Sequence, residues 1–532
     1  MSVLKLMLVS CVRWRRGNKP ACTVCDFEYQ SVPASAFSLE KNSNRLYNTI
    51  CVYMQIEKID NFNSALELYE RLFNGKPFCF FMDSQMGPEK LGRFSFMGAE
   101  PFLIVKSKGR LVEIKEKAKG KRQKAKVRRF LENPFVILKE LLNKYKSDFY
   151  HDEIPFLSGA VGYFSYDLCH FLEELPSTAI DDIDAPDMWV GFYDGIVAVD
   201  NLKGKAYKVA PSPRRGEGRG EGDNVSNFSP HLNPLPKGER KYYSPIESNF
   251  LKEAYIAAIN RAKEYIKEGD IYQVNLSQRF KTGLVMPPFE LYRKLKAINP
   301  APFAAYLDCG DAQIISASPE RFLKIDAGSR YIETRPIKGT RPRGKTPVED
   351  ERLGNELINS PKDRAEHIMI VDLERNDLGR VCEYGTVKWS EPMTLEKYAT
   401  VFHLVSTVSG RLRNDVDAVD CLINCFPGGS ITGAPKIRSM EIIDELEPTK
   451  RAVYTGAMGY IGFNGNMDTN IVIRTFLAKA GKLYFQVGGG IVADSDPEAE
   501  YQETLDKARA LIEACGALTP STQALPVGRA FR

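Results

Sequence analysis

Hydrophobic and polar residues recur along this chain with two different periods, which predict two kinds of element. Alternating or continuously apolar runs predict β-strands at 77–96, 102–114, 159–166, 188–199, 206–210 and 271–280. Helical spacing predicts α-helices at 63–72, at 135–145 and in a segment that repeats Tyr255, Ile259, Ala262 and Ile266 before a capping Gly269. From Gly269 to Ala510, strands and helices alternate irregularly, with no internal repeat and no nucleotide-binding glycine motif. The pattern is typical of a mixed protein of strands and helices.

Two segments lack this periodicity and divide the chain. Residues 1–53 are polar, and we interpret them as an N-terminal extension that is disordered or arises from a mis-assigned start. Residues 211–241 are rich in proline, glycine and charge, which predicts a disordered, low-complexity insertion. The sequence therefore predicts an N-terminal part of the fold at 54–210, a second part with the candidate chemistry at 242–515, and a tail at 516–532.

Composition and charge exclude some classes of partner. The chain has 532 residues, 43% hydrophobic and 27% charged, which are ordinary values for a globular protein. Its formal charge of +5 arises from residues 115–129, where nine lysines and arginines accompany one glutamate. We interpret this run as a solvated hairpin tip, with a nucleic-acid or phosphate patch as the alternative. Eleven cysteines without a paired pattern, and no apolar run of membrane-spanning length, predict a cytoplasmic protein that binds neither nucleic acid nor membrane.

A loop-like stretch at 335–344, with the sequence RPIKGTRPRG, holds one lysine among prolines, glycines and arginines. Proline and glycine exclude an ordinary helix or a central strand here. Positive neighbours would disfavour protonation of Lys338 and make its amine a better nucleophile near neutral pH. The alternative is a solvated basic turn.

Acidic residues gather near the C-terminal end, after the glycine run 488–490. A helix start at Ser495 or Asp496 is followed by Glu500, Glu503 and Lys507, at spacings that place all three on one helical face. Adjacent carboxylates either face water or share a hard metal ion such as magnesium. The backbone amides of the glycine run would be free to receive a carboxylate.

Three more residues are candidates on weaker grounds. Glu366 follows a capping box at Ser360 and either completes a carboxylate site or is an ordinary exposed glutamate. Glu320 follows a strand and a proline turn, a suitable place for a buried acid. His403 is flanked by apolar residues, which is typical of a core histidine.

Taken together, residues 54–510 resemble the chorismate-utilising enzymes. The runs that carry the resemblance occur in the family's order: GDIYQVNLSQRF, SASPERF, RPIKGTRPRG, AEHIMIVDLERNDLGRV, FPGGSITGAPKIRSMEIIDELEP and GGGIVADSDPEAEYQETLDKA. The resemblance implies an α+β fold in which two large, mainly antiparallel sheets pack between helices. It also implies chorismate as substrate and magnesium as cofactor.

Within the family, the chain resembles the branch that makes aminodeoxychorismate more than the branch that makes anthranilate. Lys338 stands where anthranilate synthases usually have alanine, and the runs YQVNL and FPGGSITGAPK are those of the aminodeoxychorismate branch. Family members that use water place a general-base lysine where this chain has Gln273. The resemblance therefore implies amination by ammonia, for the supply of 4-aminobenzoate and folate.

The resemblance also implies roles for individual residues. Glu366 and Glu503 would bind magnesium, with Glu500 assisting through water. Lys338 would attack C2 of the substrate ring, and Glu320 would protonate the departing C4 hydroxyl. The remaining implied residues line the pocket or anchor carboxylates: Gln273, His403, Thr432, Arg474, Gly488, Gly489, Gly490 and Lys507.

The resemblance implies one protein partner, a separate glutaminase subunit that delivers ammonia. Anthranilate synthase component I is the alternative within the enzyme class. A second alternative is a non-catalytic, tryptophan-sensing partner of the glutaminase, because Ser84, Pro302 and Phe303 match the family's tryptophan pocket.

Overall fold

The computed structural model describes residues 54–84, 86–87, 89, 91–118, 125–211, 245–398 and 401–516. The predicted extension at 1–53 lies outside the described residues, as do all of the predicted insertion except Pro211 and all of the predicted tail except Gly516.

Twenty-four strands are found in the described residues. Those before the insertion are β1 (Met54–Ile59), β2 (Phe80–Asp83), β3 (Phe94–Gly98), β4 (Leu103–Lys108), β5 (Leu111–Glu116), β6 (Lys126–Leu131), β7 (Gly159–Phe164), β8 (Met188–Tyr193), β9 (Ile196–Asp200) and β10 (Lys205–Pro211). Those after it are β11 (Glu247–Ser248), β12 (Gln273–Gly283), β13 (Phe303–Asp308), β14 (Ala312–Ser318), β15 (Arg321–Asp326), β16 (Tyr331–Arg335), β17 (Ile337–Pro342), β18 (Lys388–Lys397), β19 (Val401–Arg411), β20 (Gly433–Ala434), β21 (Ala457–Gly462), β22 (Met467–Ile471), β23 (Thr475–Lys479) and β24 (Lys482–Ile491).

The α-helices of the described residues are α1 (Ala65–Leu72), α2 (Pro134–Lys144), α3 (Lys252–Glu268), α4 (Pro288–Ile298), α5 (Pro347–Asn359), α6 (Pro361–Gly379), α7 (Ala418–Cys425), α8 (Lys436–Leu446) and α9 (Pro497–Cys515). Two 3₁₀ turns lie at Tyr166–Phe171 and Gly429–Ile431. No helix in the described part of the chain is both long and apolar enough to cross a membrane.

The strands form two antiparallel sheets that both mix strands from before and after the insertion. The first sheet runs β1-β10-β9-β3-β2-β13-β14-β23-β24-β12-β11, with β20 also paired to β12. The second runs β17-β19-β16-β15-β22-β21-β7-β8-β4-β5-β6, with β18 also paired to β19. Because β2 pairs with β13 and β7 with β21, the two parts of the chain build each sheet jointly.

The layer order follows from side chains that alternate along the strands. In β2, Phe81 faces a core shared with α1, α4 and α9, whereas its neighbour Phe80 faces a second core shared with strands of the other sheet, including β7. Ile315 and Ile314 of β14 divide in the same way. Both faces of the first sheet are therefore buried, which explains the continuous apolar runs in the sequence. The predicted α+β fold of two antiparallel sheets between helices is confirmed.

Local sequence signals explain the element ends. Ser64, Asn133 and Asp496 cap α1, α2 and α9 by accepting backbone N–H bonds, and Gly269 ends α3 with φ 87°. The predicted strand-like run at 77–96 is two strands, β2 and β3, joined by a loop. The basic run 115–129 includes the end of β5 and the start of β6, which pair with each other, and the hairpin tip predicted between them, at 119–124, lies outside the described residues.

The loop-like prediction for 335–344 needs correction, because residues 337–342 form β17. This strand is at the edge of the second sheet, so proline costs no ladder bond on its open side. Its pairing with β19 shifts register between Ile337 and Thr340, where Gly339 has φ 83°. The irregularity spans Lys338 and Gly339.

Candidate active site

The predicted site residues come from strands of both sheets and from the N-terminal turns of two helices. β12 and β24 supply Gln273 and the glycine run, β17 supplies Lys338, and helices α6 and α9 supply the carboxylates. The structure thus brings together residues that lie more than 200 positions apart.

The helix α9 presents its acidic face to the glycine run of β24. A Cβ atom placed on Gly489 would lie 3.1 Å from Glu500 Oε2, 3.7 Å from Glu503 Oε1 and 3.9 Å from Lys507 Nζ. Lys507 Nζ donates to Gly488 O at 2.9 Å and pairs with Glu503 Oε1 at 2.6 Å. All three side chains therefore meet over one glycine, which leaves room for them because it has no side chain.

The carboxylates of this cluster differ in their pKa. Burial raises the pKa of Glu500, although the Ser495 hydroxyl donates to it at 2.7 Å. Burial also raises the pKa of Glu366, whose nearest cation, Lys362, is 3.9 Å away. The pKa of Glu503 is lowered instead, because the charge and hydrogen bond of Lys507 outweigh its burial. Two of the three carboxylates therefore have raised pKa values, and only the one paired with Lys507 has a lowered pKa.

Lys338 and Gln273 reach the same glycine run from the opposite side. A Cβ on Gly490 would lie 2.8 Å from Gln273 Nε2 and 3.5 Å from Lys338 Nζ. Gln273 is fully buried, and neither of its amide atoms has a hydrogen-bond partner among the described residues. Burial lowers the pKa of Lys338, opposed by Glu366 and assisted by Lys507.

The predicted cause of the lowered Lys338 pKa was wrong, although its direction agrees with the structure. The three neighbouring arginines are each neutralised: Arg335 by Glu391 and Glu396, Arg341 by Glu356 and Asp363, and Arg343 by Asp350. Burial and the more distant Lys507 act on Lys338 in their place. Acidic partners from α5, α6 and β18 cannot be read from the local sequence.

Glu320 lies buried behind Lys338. Its Oε1 accepts the backbone N–H of Ile337 at 3.3 Å, and its carboxyl also hydrogen-bonds the Ser430 hydroxyl. Burial raises its pKa, partly offset by these bonds and by Lys338. A carboxyl with a raised pKa holds its proton to higher pH, as a proton donor requires.

The remaining pocket residues are held by neighbouring groups. His403 is buried with Nδ1 3.0 Å from Thr340 Oγ1, and burial lowers its pKa to about 3, so its ring is neutral. The Thr432 hydroxyl donates to Gly428 O at 3.0 Å. Arg474 donates to Lys507 O at 3.0 Å, which ties it to the carboxylate helix.

The predicted tryptophan-pocket residues lie away from this cluster, at paired ends of β2 and β13. The register pairs Asp83 with Ala304, so Ser84 follows β2 where Phe303 begins β13. Asp83 binds the Tyr292 hydroxyl at 2.8 Å and the Lys296 ammonium. Pro302 is buried beside them in the chain.

Sequence reasoning missed two residues of the site. Ser430 contacts Glu320 from a turn 110 positions later, a contact without any local signal. Lys362 lies one helical turn before Glu366 and contributes to the pKa values of Glu366, Glu500 and Glu503. Its i, i+4 spacing to Glu366 was a usable signal.

The carboxylates fit a hard divalent cation in chemistry but form an incomplete site. Carboxylate oxygens are the ligands that magnesium prefers, and burial raises the pKa values of Glu366 and Glu500 despite the lysines near them. In the part of the chain that the structure describes, no three His, Cys, Asp or Glu side chains stand close enough to enclose a metal. The donor set fits magnesium whose other ligands come from substrate or water.

Comparison with known proteins gives consistent matches along most of the chain. A family model described as chorismate binding enzyme matches residues 100–513. The chain is 39% identical over 482 residues to anthranilate synthase component 1 of Acetivibrio thermocellus, covering 88% of this chain and 95% of that protein. It is 38% identical over 457 residues to aminodeoxychorismate synthase component 1 of Bacillus subtilis (strain 168), covering 85% and 94%.

A solved structure agrees with these matches. The crystal structure of anthranilate synthase component I from Streptococcus pneumoniae TIGR4 aligns with a TM-score of 0.69 at 31% identity, covering 85% of this chain and 98% of that one. More of the similar proteins carry the name anthranilate synthase component 1 than aminodeoxychorismate synthase component 1. The comparisons therefore favour the anthranilate alternative slightly over the branch that Lys338 predicts.

Proposed function

This chain belongs to the family of chorismate binding enzymes, and from that premise we propose that it aminates chorismate to 4-amino-4-deoxychorismate. The observation that carries the proposal is the Lys338 amine. It lies beside Gln273 and the glycine run, with its pKa lowered by burial, where an alanine would supply no nucleophile.

Lys338 acts as the nucleophile of a two-step displacement. Its Nζ bonds to C2 of the ring, the ring double bonds shift, and the C4–O bond breaks. Ammonia then bonds to C4, the double bonds shift back, and the C2–Nζ bond breaks, which frees the lysine. Dividing one difficult displacement into two easier ones is the usual benefit of covalent catalysis.

Glu320 supplies the proton that lets the C4 hydroxyl leave as water. Its raised pKa keeps it protonated at a pH where an exposed glutamate would be ionised. The ammonia that enters C4 gives one proton back to the Glu320 carboxylate in forming the product amine, which restores the acid. Chorismate and ammonia thus give aminodeoxychorismate and water, with no oxidant or reductant.

Glu366 and Glu503 would hold magnesium, with Glu500 assisting through water. When bound, the ion supplies positive charge that binds the ring carboxylate of the substrate. Lys507, Arg474 and the amides of Gly488–490 anchor the substrate carboxylates from the side of the first sheet. This grip orients the ring with C2 toward Lys338.

The ammonia comes from a glutaminase partner. The similar proteins are named as component 1 of their synthases, which supports a second component for this chain. Gln273 stands where water-using relatives have a general-base lysine, and its amide cannot take up a proton from water. Free ammonium should replace the partner at higher concentration.

Anthranilate synthase is the second candidate, because most of the named relatives are anthranilate synthases. That reaction would release anthranilate and pyruvate without a second enzyme. The two candidates share the metal and carboxylate-binding residues and differ in the role given to Lys338.

A product assay separates the two candidates. The purified chain is incubated with chorismate, magnesium and ammonium, with and without an added aminodeoxychorismate lyase. We expect 4-aminobenzoate only when the lyase is present, and no fluorescent anthranilate. Anthranilate formed without the lyase would refute the proposal and establish the second candidate.

A further inference from the structure

Glu374, a buried acid on α6, takes no part in the mechanism above. Its side chain is 2% exposed, and its two oxygens contact different segments. Oε1 accepts the backbone N–H of Gly429 at 2.9 Å. Oε2 lies 3.4 Å from the hydroxyl of Thr334 in β16.

Each of these contacts leads to a group that hydrogen-bonds Glu320. Gly429 begins the 3₁₀ turn whose next residue, Ser430, bonds the Glu320 carboxyl. Thr334 lies three residues before Ile337, whose N–H donates to Glu320 Oε1. Glu374 therefore hydrogen-bonds both of the segments that contact Glu320.

The 3₁₀ turn at Gly429 packs closely against α6. A Cβ on Gly429 would lie 2.7 Å from Leu373 Cδ2 and 3.1 Å from Glu374 Oε1. The side chains of Leu373 and Glu374 would therefore have to shift to admit any larger residue at this position. Small changes at Glu374 should pass to Ser430 rather than be absorbed.

The charges around Glu374 favour its neutral form. On its own helix Glu374 faces Asp377, which forms a salt bridge with Lys436 of α8. The turn and Thr334 carry no charge, and Glu320 contributes a second negative charge that raises the pKa of Glu374. Burial first, and then Asp377, raise the pKa of Glu374, which favours the carboxylic acid over the carboxylate. In either form Oε1 accepts the Gly429 N–H.

We infer that Glu374 is a positioning residue that fixes the Ser430 turn and β16 around Glu320. The inference rests on the proposed function, in which Glu320 donates the proton. Glu374 itself touches neither substrate nor reacting atoms. Its effect on turnover is exerted through the placement of Glu320.

Three single variants test the hydrogen bond against simple packing. Glu374→Gln keeps a neutral acceptor and should keep more than about half of the wild-type kcat, whereas Glu374→Leu should lower kcat roughly 10- to 100-fold with KM changed less than about twofold. Asp372→Asn, on an exposed part of the same helix, is the control and should change neither value. Equal losses in the Gln and Leu variants would overturn the inference.

The decisive readout is a comparison in the Glu320→Gln background, measured as magnesium-dependent consumption of chorismate. Glu320→Gln alone should lower kcat on the order of 100-fold or more. Adding Glu374→Leu should then cause no further loss, because the acid that Glu374 positions is gone. An additional loss as large as in the wild-type background would show general damage and overturn the inference.

Two further outcomes are separable. If Glu320→Gln turns over like the wild type, the proposed role of Glu320 fails, whatever Glu374 does. If Glu374→Leu does not fold, Thr334→Val takes its place, because it removes one hydrogen bond of Glu374 without leaving a cavity. It should lower kcat several-fold in the wild-type background and have no effect in the Glu320→Gln background. Loss in both backgrounds, or no loss in either, would overturn the inference.

Discussion

Arg451 is a fully buried basic side chain and Lys338 a partly buried one, and their surroundings are opposite. Arg451 pairs with Glu447 at 2.6 Å, with both side chains at most 2% exposed. It also donates to Asn275 O at 2.6 Å and Ile431 O at 3.1 Å. Although burial opposes its charge, Glu447 outweighs burial and raises the Arg451 pKa.

Lys338 has weaker compensation. Burial lowers its pKa, and the charges of Glu366, Glu320 and Glu503 oppose this without a side-chain hydrogen bond or salt bridge to any described residue. The amide of its neighbour Gln273 is also unpartnered within the described chain. A buried charge whose hydrogen bonds are all satisfied stabilises the fold, whereas a partly buried amine without a close partner is available for chemistry.

The largest difference between the two cations should appear in stability. Arg451→Met leaves Glu447 buried without its partner and should lower the free energy of unfolding by about 3 to 5 kcal/mol. Lys338→Met removes a poorly compensated amine and should leave stability unchanged or raise it by about 1 kcal/mol. Urea unfolding of both variants checks this. Equal destabilisation would show that Lys338 is a structural cation too.

The second largest effect is expected in magnesium-dependent chorismate binding, from the acidic face of α9. Glu503→Gln should weaken magnesium-dependent chorismate binding roughly 10- to 100-fold, since it removes a charged ligand. Glu498→Gln, on the same helix and paired with Lys252 at the surface, is the matched control and should have no effect. Isothermal titration with chorismate at several magnesium concentrations measures both. Equal behaviour of the two variants would remove Glu503 from the site.

A smaller effect concerns the pH dependence of stability. Since the folded-state pKa of Lys338 lies below its ordinary 10.5, the unfolded chain binds more protons between the two values, and this lysine makes stability rise with pH there. Below the folded-state pKa, both states are protonated and the penalty is constant. The stability advantage of Lys338→Met should therefore shrink as pH approaches 10.5. Unfolding curves at a series of alkaline pH values test this, and an advantage that grows would contradict it.

The smallest expected change is in the protonation of two buried histidines, His403 and His367. Burial lowers the pKa of His403 to about 3 and that of His367 to about 4. Their ring signals in NMR spectra should stay constant between roughly pH 5.5 and 8, and neither should shape the pH–rate profile. Titration of His403 in that range would mean that it is solvated or paired with an acid.

Sequence patterns predicted those parts of the site that depend on local geometry. Glu500, Glu503 and Lys507 meet over Gly489 because helical spacing alone puts them on one face. The caps at Ser360 and Asp496 fixed the starts of α6 and α9 in the same way. These features need no knowledge of the rest of the chain.

Other features depend on which elements meet in space. The local sequence indicated that the arginines around Lys338 would disfavour its protonation. Their acidic partners lie on α5, α6 and β18 and cannot be identified from that stretch. The contact of Ser430 with Glu320 and the hydrogen bonds of Glu374 likewise join separate elements. The local pattern of hydrophobic and polar residues does not depend on such contacts, so only the structure shows them.

The most direct test of the central claim is the turnover of Lys338→Ala. Since the amine has no structural partner among the described residues, the variant should fold and keep magnesium-dependent chorismate binding. It should also lose aminodeoxychorismate formation by on the order of 100-fold or more, measured with saturating ammonium and excess lyase. Unchanged turnover would contradict the account and leave Lys338 as a partly buried cation without a chemical role.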